Sequence, residues 1–261
     1  MGHLPPCPGD LPLLGAFVPS PLEQLPPGQI AHQPFGGVEG FDGKIRFDRL
    51  QSNLSIRYAV FPNVRSRTPV ETFAELLEQS TRIHGHICAG QVIGVRMAMI
   101  GLREIGIDDP HRQRKEFYVL VEIDRCATDA IQTVTGCSLG KRSLKWLDYG
   151  IMAATFVHLA SGKAVRITAR EESREAAAAY CPEIADKYKR QLEAYRIMPE
   201  EELFKVEPVA VEVPACDLPG RPLRRVQCQE CGDWVQDCRE VETGGRTLCR
   251  PCAHGRYYRR L

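Results

Sequence analysis

The sequence predicts a domain of mixed helices and strands followed by a small four-cysteine zinc module. Three observations lead to this prediction. Apolar residues recur at near-helical spacing between residues 70 and 106, and strand-like alternation appears between residues 116 and 169. Near the C-terminus, two Cys-x-x-Cys pairs are separated by 17 residues, a spacing typical of zinc modules.

The composition is that of a soluble globular chain. It has 261 residues, of which 43% are hydrophobic and 26% charged, enough for one core domain and a smaller module. Its formal net charge of +1 argues against a dedicated polyanion binder. Because it has no long apolar run and no basic N-terminal signal segment, we expect no membrane association and a cytoplasmic location. There the 11 cysteines should be thiols or metal ligands rather than disulfides.

Composition also suggests where the domains begin and end. The first 34 residues carry nine of the 19 prolines, which is typical of a poorly ordered segment. Residues 55–61 resemble a strand, and residues 214–222 form a proline- and glycine-rich boundary. We therefore expect an N-terminal extension, a core domain and a zinc finger at residues 1–54, 55–215 and 222–261.

Two helices are predicted around a cluster of histidine and cysteine at residues 84–90. The first should begin with Thr68 as N-cap and Glu71 completing a capping box. The second should be a buried helix that ends near Gly106, because residues 92–102 are apolar on nearly every side. Its small residues favour close packing, including packing across a homodimer.

The cluster contains His84, His86 and Cys88 within five residues. Cys88 should lie at or just before the start of the buried helix, where backbone N–H groups favour a thiolate. The histidines suit neutral metal ligands or a general base. Taken alone, the cluster fits equally well a turn between helices with capped histidines and an inert cysteine.

A second group of polar residues follows a predicted strand at residues 116–124. A helix should begin near Arg125, with Cys126 and Asp129 on one face. It should end at Gly136, just before Cys137 and Lys141. Functional groups favour such positions, although a single cysteine is more commonly a small buried hydrophobe.

Together, residues 84–90, 124–132 and 135–141 resemble the FmdE family, which takes its name from formylmethanofuran dehydrogenase. The resemblance covers roughly residues 70–215 and extends to the C-terminal module, with Ala89 where the family usually has proline. It implies an α+β core domain, a homodimer and association with a molybdenum or tungsten oxidoreductase system. Carried over by position, it also implies a cleft lined by His84, His86, Cys88, Cys126, Asp129, Cys137 and Lys141.

Our leading hypothesis is a metal-binding accessory protein or subunit of such a system. Cys88 and His86 would be its central groups and, with His84, the candidate ligands of a transition metal in the core. Cys126 and Cys137 would complete a soft metal site or act as redox partners. Asp129 would orient an imidazole, and Lys141 would meet an anion.

Two alternatives stay open at this point. In the first, the protein is an enzyme in which Cys88 is the nucleophile and His84 or His86 its base. In the second, it is an interaction module whose finger docks on a partner. The sequence does not decide whether the protein is an enzyme.

Further elements are predicted after residue 150. Strand-like residues 150–160 and 163–169 flank a Ser-Gly turn and predict a hairpin. Residues 171–197 should be helical with a break at Pro182. His158 is interpreted as a satisfied core histidine, and Cys181 and Cys216 are interpreted as incidental.

The C-terminal module has the strongest signal in the sequence. Its four thiols can form the tetrahedral sulfur set that Zn²⁺ prefers, and with every position filled the zinc should be structural. The second pair should open the final short helix, as in treble-clef and zinc-ribbon-like fingers, with Cys238 as a spare thiol. Residues 224–261 hold eight arginines against five acidic residues, an excess that the negative four-thiolate centre reduces, so nucleic acid is not the expected partner. The zinc ligands would be Cys228, Cys231, Cys249 and Cys252.

Overall fold

The computed structural model describes residues 71–259 and 261. The predicted N-terminal extension, the predicted strand at residues 55–61 and Thr68 lie outside this range. Within it, the elements follow in the order α1 Phe73–His84, α2 Ala89–Ile105, β1 Phe117–Val121, α3 Cys126–Thr135, β2 Leu144–Trp146, β3 Ala153–His158, β4 Ala164–Ala169, α4 Ser173–Tyr180, α5 Lys187–Ile197, α6 Glu200–Leu203, β5 Phe204–Val209, β6 Arg225–Gln227, β7 Trp234–Gln236, β8 Val241–Thr243, β9 Arg246–Leu248 and α7 Arg250–His254.

The core domain is built on a five-stranded mixed sheet with the strand order β2-β1-β3-β4-β5. β1 and β2 are parallel, and the other pairs are antiparallel. Alternate residues of β1 face opposite sides: Val119 packs in the main core with the helices, whereas Tyr118 packs with Val157 on the other side. The predicted α+β class is therefore confirmed.

α1 begins later than its sequence suggests. Thr72 is the N-cap, and its hydroxyl oxygen accepts a hydrogen bond from the Glu75 backbone N–H at 3.3 Å. The Glu75 carboxylate in turn accepts from the Thr72 backbone N–H at 2.7 Å. The predicted start at Thr68 was wrong because the Ser/Thr-x-x-Glu pattern occurs twice, and the helix uses the second copy.

α2 is the central, almost fully buried helix that was predicted, and it ends at Gly106 in the left-handed conformation. A Cβ at Gly94 would collide with Ala127 of α3, and one at Gly101 would collide with the Phe156 ring of β3. These glycines thus bring α2 against its neighbours within one chain. The homodimer stays a prediction.

Two other sequence predictions are confirmed. β3 and β4 form the expected hairpin around residues 159–163. The helical stretch after residue 171 is broken between α4 and α5, where Pro182 lies. His158 is satisfied, since its Nδ1 lies 2.8 Å from Ser161 Oγ, but this contact is on the exposed hairpin rather than in the core.

The finger is formed by the two short hairpins β6–β7 and β8–β9 and by α7. α7 begins directly after Cys249, which is its N-cap, so the expected helix-opening position of the second pair is confirmed. Arg142 of the core donates to Asp237 of the finger at 2.6 Å. This ion pair attaches the finger beside the edge strand β2.

Cys216 and Cys238 form a disulfide, with their Cα atoms 6.2 Å apart. The prediction that all cysteines are thiols or metal ligands was therefore wrong, as were the incidental role of Cys216 and the spare thiol of Cys238. Their separation of 22 residues gives no local signal. Only the docking of the finger against the 215–217 turn brings the two side chains together.

None of the helices between residues 71 and 259 is long and apolar enough to cross a membrane.

Candidate functional site

The turn between α1 and α2 presents the histidine-cysteine cluster. His84 is the last residue of α1, and Gly85 follows in the left-handed conformation with φ 93°, which glycine adopts without steric cost. Its backbone N–H donates to the Thr81 carbonyl at 2.8 Å. Cys88 is the N-cap of α2, as the sequence predicts. One tight reversal therefore brings both imidazoles and the thiol to the same point.

The three side chains converge. One ring nitrogen each of His84 and His86 and the Cys88 sulfur all lie within 4.8 Å of one another. The centroids of the two imidazole rings are 4.6 Å apart. We call these three residues the core site.

His84 is held by a residue of α3. Its Nδ1 lies 2.8 Å from Oδ2 of Asp129. The side chain is only 14% exposed, and its Nε2 atom is buried without a hydrogen-bond partner among the described residues. An imidazole with one nitrogen held by a carboxylate and the other unpaired is arranged as a typical metal ligand.

Cys126 packs directly against the core site. A Cβ placed on Gly90 would lie 2.9 Å from the Cys126 Cβ and 3.6 Å from the Cys88 sulfur. Burial raises the pKa of the Cys126 thiol, and its hydrogen bond with Cys88 raises it further. The missing side chain at Gly90 therefore allows the two thiols to approach each other.

Gln91 holds this arrangement together, and the sequence analysis did not select it. Its fully buried side chain accepts a hydrogen bond from Ser80 of α1 and donates to the Cys126 carbonyl at 2.6 Å. A polar residue at the head of an apolar run was the available signal. Gln91 ties α1, α2 and α3 together around the core site.

Cys137 and Lys141 lie elsewhere. Both follow the C-terminal end of α3, whereas Cys126 is at its start, and a ten-residue helix is about 15 Å long. Cys137 is fully buried in the hydrophobic core, where burial raises its pKa. Lys141 donates to the Gly136 carbonyl at 2.9 Å. The structure thus brings Cys126 and Asp129 to the core site but not Cys137 or Lys141.

A cavity of about 600 Å³ opens beside the core site. Cys88 and Cys126 form part of its wall, together with apolar residues such as Ile93 and Met152. The other groups that concern us are cationic or polar side chains from the start of α3, from α4 and the residues before it, and from α5: Arg125, Arg170, Glu171, Arg174, Lys189 and Gln191. We call it the basic cavity.

The finger holds the second cluster. The sulfur atoms of Cys228, Cys231, Cys249 and Cys252 lie within 4.8 Å of one another. Backbone N–H groups of Cys231 and Cys249 lower the pKa of Cys228 to about 6. The predicted four thiols are thus brought together in a cluster suited to a zinc-type metal.

Comparison with known proteins bears on the core domain. The profile of a family described as "FmdE, Molybdenum formylmethanofuran dehydrogenase operon" matches residues 83–205. This range includes the core site, Cys126 and Asp129.

Two individual proteins are similar to the chain. A "Probable S-adenosyl-L-methionine-binding protein" of Archaeoglobus fulgidus is 32% identical over 212 residues, which are 73% of this chain and 55% of that protein. The chain therefore spans about half the length of this relative. A crystal structure of an FmdE-like protein of tungsten formylmethanofuran dehydrogenase from Syntrophus aciditrophicus has a TM-score of 0.49 and 21% identity, covering 72% of this chain and 95% of that one.

Proposed function

We propose that this chain, whose core domain belongs to the FmdE family, binds a transition metal ion at His84, His86 and Cys88 and a structural zinc ion in its finger. In this proposal the core metal serves the protein's activity, and the finger metal serves its fold. The two clusters differ in ways that support this division.

The unpaired Nε2 atom of His84 is the observation that carries the proposal. A buried ring nitrogen without a partner costs free energy unless something binds it. It belongs to the same cluster as the His86 ring nitrogen and the Cys88 sulfur. A metal ion bound by these three atoms would satisfy it, and Asp129 would fix the ring for that purpose.

The donor sets indicate different roles. Two imidazoles and one thiolate suit zinc and other late first-row transition metals. Three protein ligands are also the usual number in catalytic zinc sites, which keep a fourth position for water or substrate. Four thiolates fill every position, so the finger metal would be structural.

We place this activity in a molybdenum or tungsten oxidoreductase system, with the chain as an accessory protein or subunit and as a homodimer. The family description supports this setting. Analytical ultracentrifugation tests the dimer. Co-purification of a tagged chain with subunits of a molybdenum or tungsten dehydrogenase from the native host tests the partner.

The ligand named for the Archaeoglobus relative is less well supported for this chain. The matched region covers only about half of that protein, so its binding site need not lie there. S-adenosyl-L-methionine also carries a net positive charge, whereas the basic cavity is lined by four cationic side chains and one carboxylate. Calorimetric titration should detect no binding tighter than about 1 mM.

Elemental analysis of the purified chain tests the metal proposal. The wild type should hold about two metal ions per chain. Cys88→Ser and His86→Ala should each lose the core metal and keep the finger zinc. His158→Ala, a histidine outside the core site, is the matched control and should keep both. Unchanged metal content in Cys88→Ser would sink the proposal.

Alkylation separates this function from the alternative of a cysteine-dependent enzyme. That alternative is favoured by one observation, namely that Cys88 lines the cavity at the start of α2. If Cys88 is a metal ligand, iodoacetamide should modify it only after a chelator is added. Fast modification at neutral pH without chelator, in protein that lacks core metal, would support the nucleophile instead.

A further inference from the structure

We propose that the basic cavity binds a small organic anion with an apolar body. This inference adds a ligand class to the proposed function and rests on it for one point, the metal at the cavity wall. The binding of the anion itself needs only the cavity.

The size and lining of the cavity fit such a molecule. A volume of about 600 Å³ lies within the range of about 300–1,000 Å³ found for small-molecule sites. The apolar wall includes Ile93, Ile123, Met152 and Leu192. Such a surface can cover an apolar body on several sides.

The charge of the lining selects an anion. Arg125, Arg170, Arg174 and Lys189 contribute cations, against the single carboxylate of Glu171. Glu171 is already paired, because its carboxylate lies 2.7 Å from Arg174 Nε. Arg125 and Lys189 have no carboxylate partner within residues 71–259. The cavity thus carries excess positive charge that a bound carboxylate, sulfonate or phosphate would neutralise.

Gln191 supplies an independent indication of a ligand. Its side chain lines the cavity although the residue is only 5% exposed. Its Nε2 atom is buried and finds no hydrogen-bond acceptor in the described part of the chain. A buried amide donor is normally paired. An acceptor atom of the ligand would complete it.

Arg170 is positioned by the fold rather than by a carboxylate. Its Nε donates to the Phe204 carbonyl at 3.1 Å, which leaves the terminal nitrogens of the guanidinium for a ligand. Because Cys88 belongs both to the cavity wall and to the core site, the bound anion would lie beside the proposed metal.

Two fluorescent probes that differ by one sulfonate test the proposal in the full-length, metal-loaded protein. They are 8-anilinonaphthalene-1-sulfonate, which is anionic, and N-phenyl-1-naphthylamine, which is neutral. The wild type should bind the anionic probe at least about tenfold more tightly. Equal affinity for both probes would overturn the proposal.

Charge-reversal variants assign the binding to the cavity. Arg174→Glu should weaken the anionic probe by about fivefold or more and leave the neutral probe unchanged. Arg196→Glu is the matched control, because Arg196 pairs with Glu193 three residues earlier, as Arg174 pairs with Glu171, but lies outside the cavity lining. Equal effects of the two variants would mean a general surface charge effect and would contradict the proposal.

Gln191→Leu provides a third arm. It keeps an apolar side chain of similar size but removes the amide donor, so it should weaken the anionic probe more than the neutral one. Equal weakening of both probes would contradict a role for the Gln191 amide as donor. The metal content of each preparation separates the two proposals. Loss of probe selectivity with normal metal content counts against the anion site alone, and normal selectivity in Cys88→Ser with unchanged metal counts against the metal site alone.

Discussion

The Nδ1 atom of His84 lies 2.8 Å from Oδ2 of Asp129. This hydrogen bond links the end of α1 to the first turn of α3 and fixes an imidazole whose other nitrogen is buried and unpaired. Since residues that orient a metal ligand influence affinity without touching the metal, Asp129 should act as a positioning residue.

We expect Asp129→Asn to lower the affinity of the core site for its metal by about 10–100-fold. The amide keeps a hydrogen-bond acceptor but loses the charge that makes the imidazole a better ligand. Competition with a coloured chelator measures the change. Asp124→Asn removes an exposed charge nearby in the sequence and should leave the affinity unchanged. A similar loss in both variants would indicate general electrostatics instead.

Gly90→Ala should disturb both thiols. The added methyl group would lie 2.9 Å from the Cys126 Cβ, a contact that must be relieved by movement of α2 or α3. We expect a loss of about 1–3 kcal/mol in the free energy of unfolding, measured by urea titration, and weaker core-metal binding. At Gly140 a Cβ would meet nothing within 4 Å, so Gly140→Ala is the control. Equal stability of the two variants would contradict the close packing.

Gln91→Leu should cost about 1–3 kcal/mol of stability, because it leaves the buried Ser80 hydroxyl without its acceptor. The double variant Ser80→Ala/Gln91→Leu should be more stable than Gln91→Leu alone, since the orphaned hydroxyl is gone. Urea unfolding of the single and double variants gives the coupling. Additive losses would show that the two side chains do not depend on each other.

The core site shows which features a sequence pattern can predict. The helical period of α2, its glycine end and the strand-turn-strand pattern of β3 and β4 are local signals, and the structure follows them. The convergence of Cys88 with His84 is also local, because one turn produces it.

Features that depend on the tertiary fold were missed or misplaced. The edge strand β2 has only three residues, and β5 contains Pro208, so neither has a clear strand signal. Cys137 lies near Cys126 in the sequence, yet the length of α3 separates them. The partner of Cys216 and the role of Gln91 depend on segments that meet only after folding.

Removal of metal should unfold the finger and spare the core domain. The short hairpins and α7 pack on only a few buried residues, chiefly Cys228, Leu248 and Cys249, so the finger depends on its metal for stability. We expect chelator to make residues 240–259 sensitive to trypsin while residues 73–209 stay protected, as seen by mass spectrometry. Re-addition of zinc should restore protection. A chelated finger that still resists trypsin would show that it folds without metal.

The attachment of the finger should be acid-sensitive through Asp217. This carboxylate is 8% exposed and accepts hydrogen bonds from Lys145 of β2 and from Arg239. Burial alone would raise its pKa, but the two cationic donors outweigh that effect and hold the pKa of Asp217 below its usual range. Because the pKa is lower in the folded than in the unfolded protein, the ionised group stabilises the fold.

That stabilisation should be complete above the unfolded pKa of about 3.9 and should be lost as the pH falls through the lower folded value. We therefore expect Asp217→Asn to be less stable than the wild type at about pH 7, with a difference that shrinks below about pH 4. Urea unfolding across this range measures it. Asp148→Asn changes an exposed carboxylate and should show no such pH dependence. A difference that stays constant down to about pH 2.5 would mean that Asp217 stabilises the protein through its shape and not through its charge.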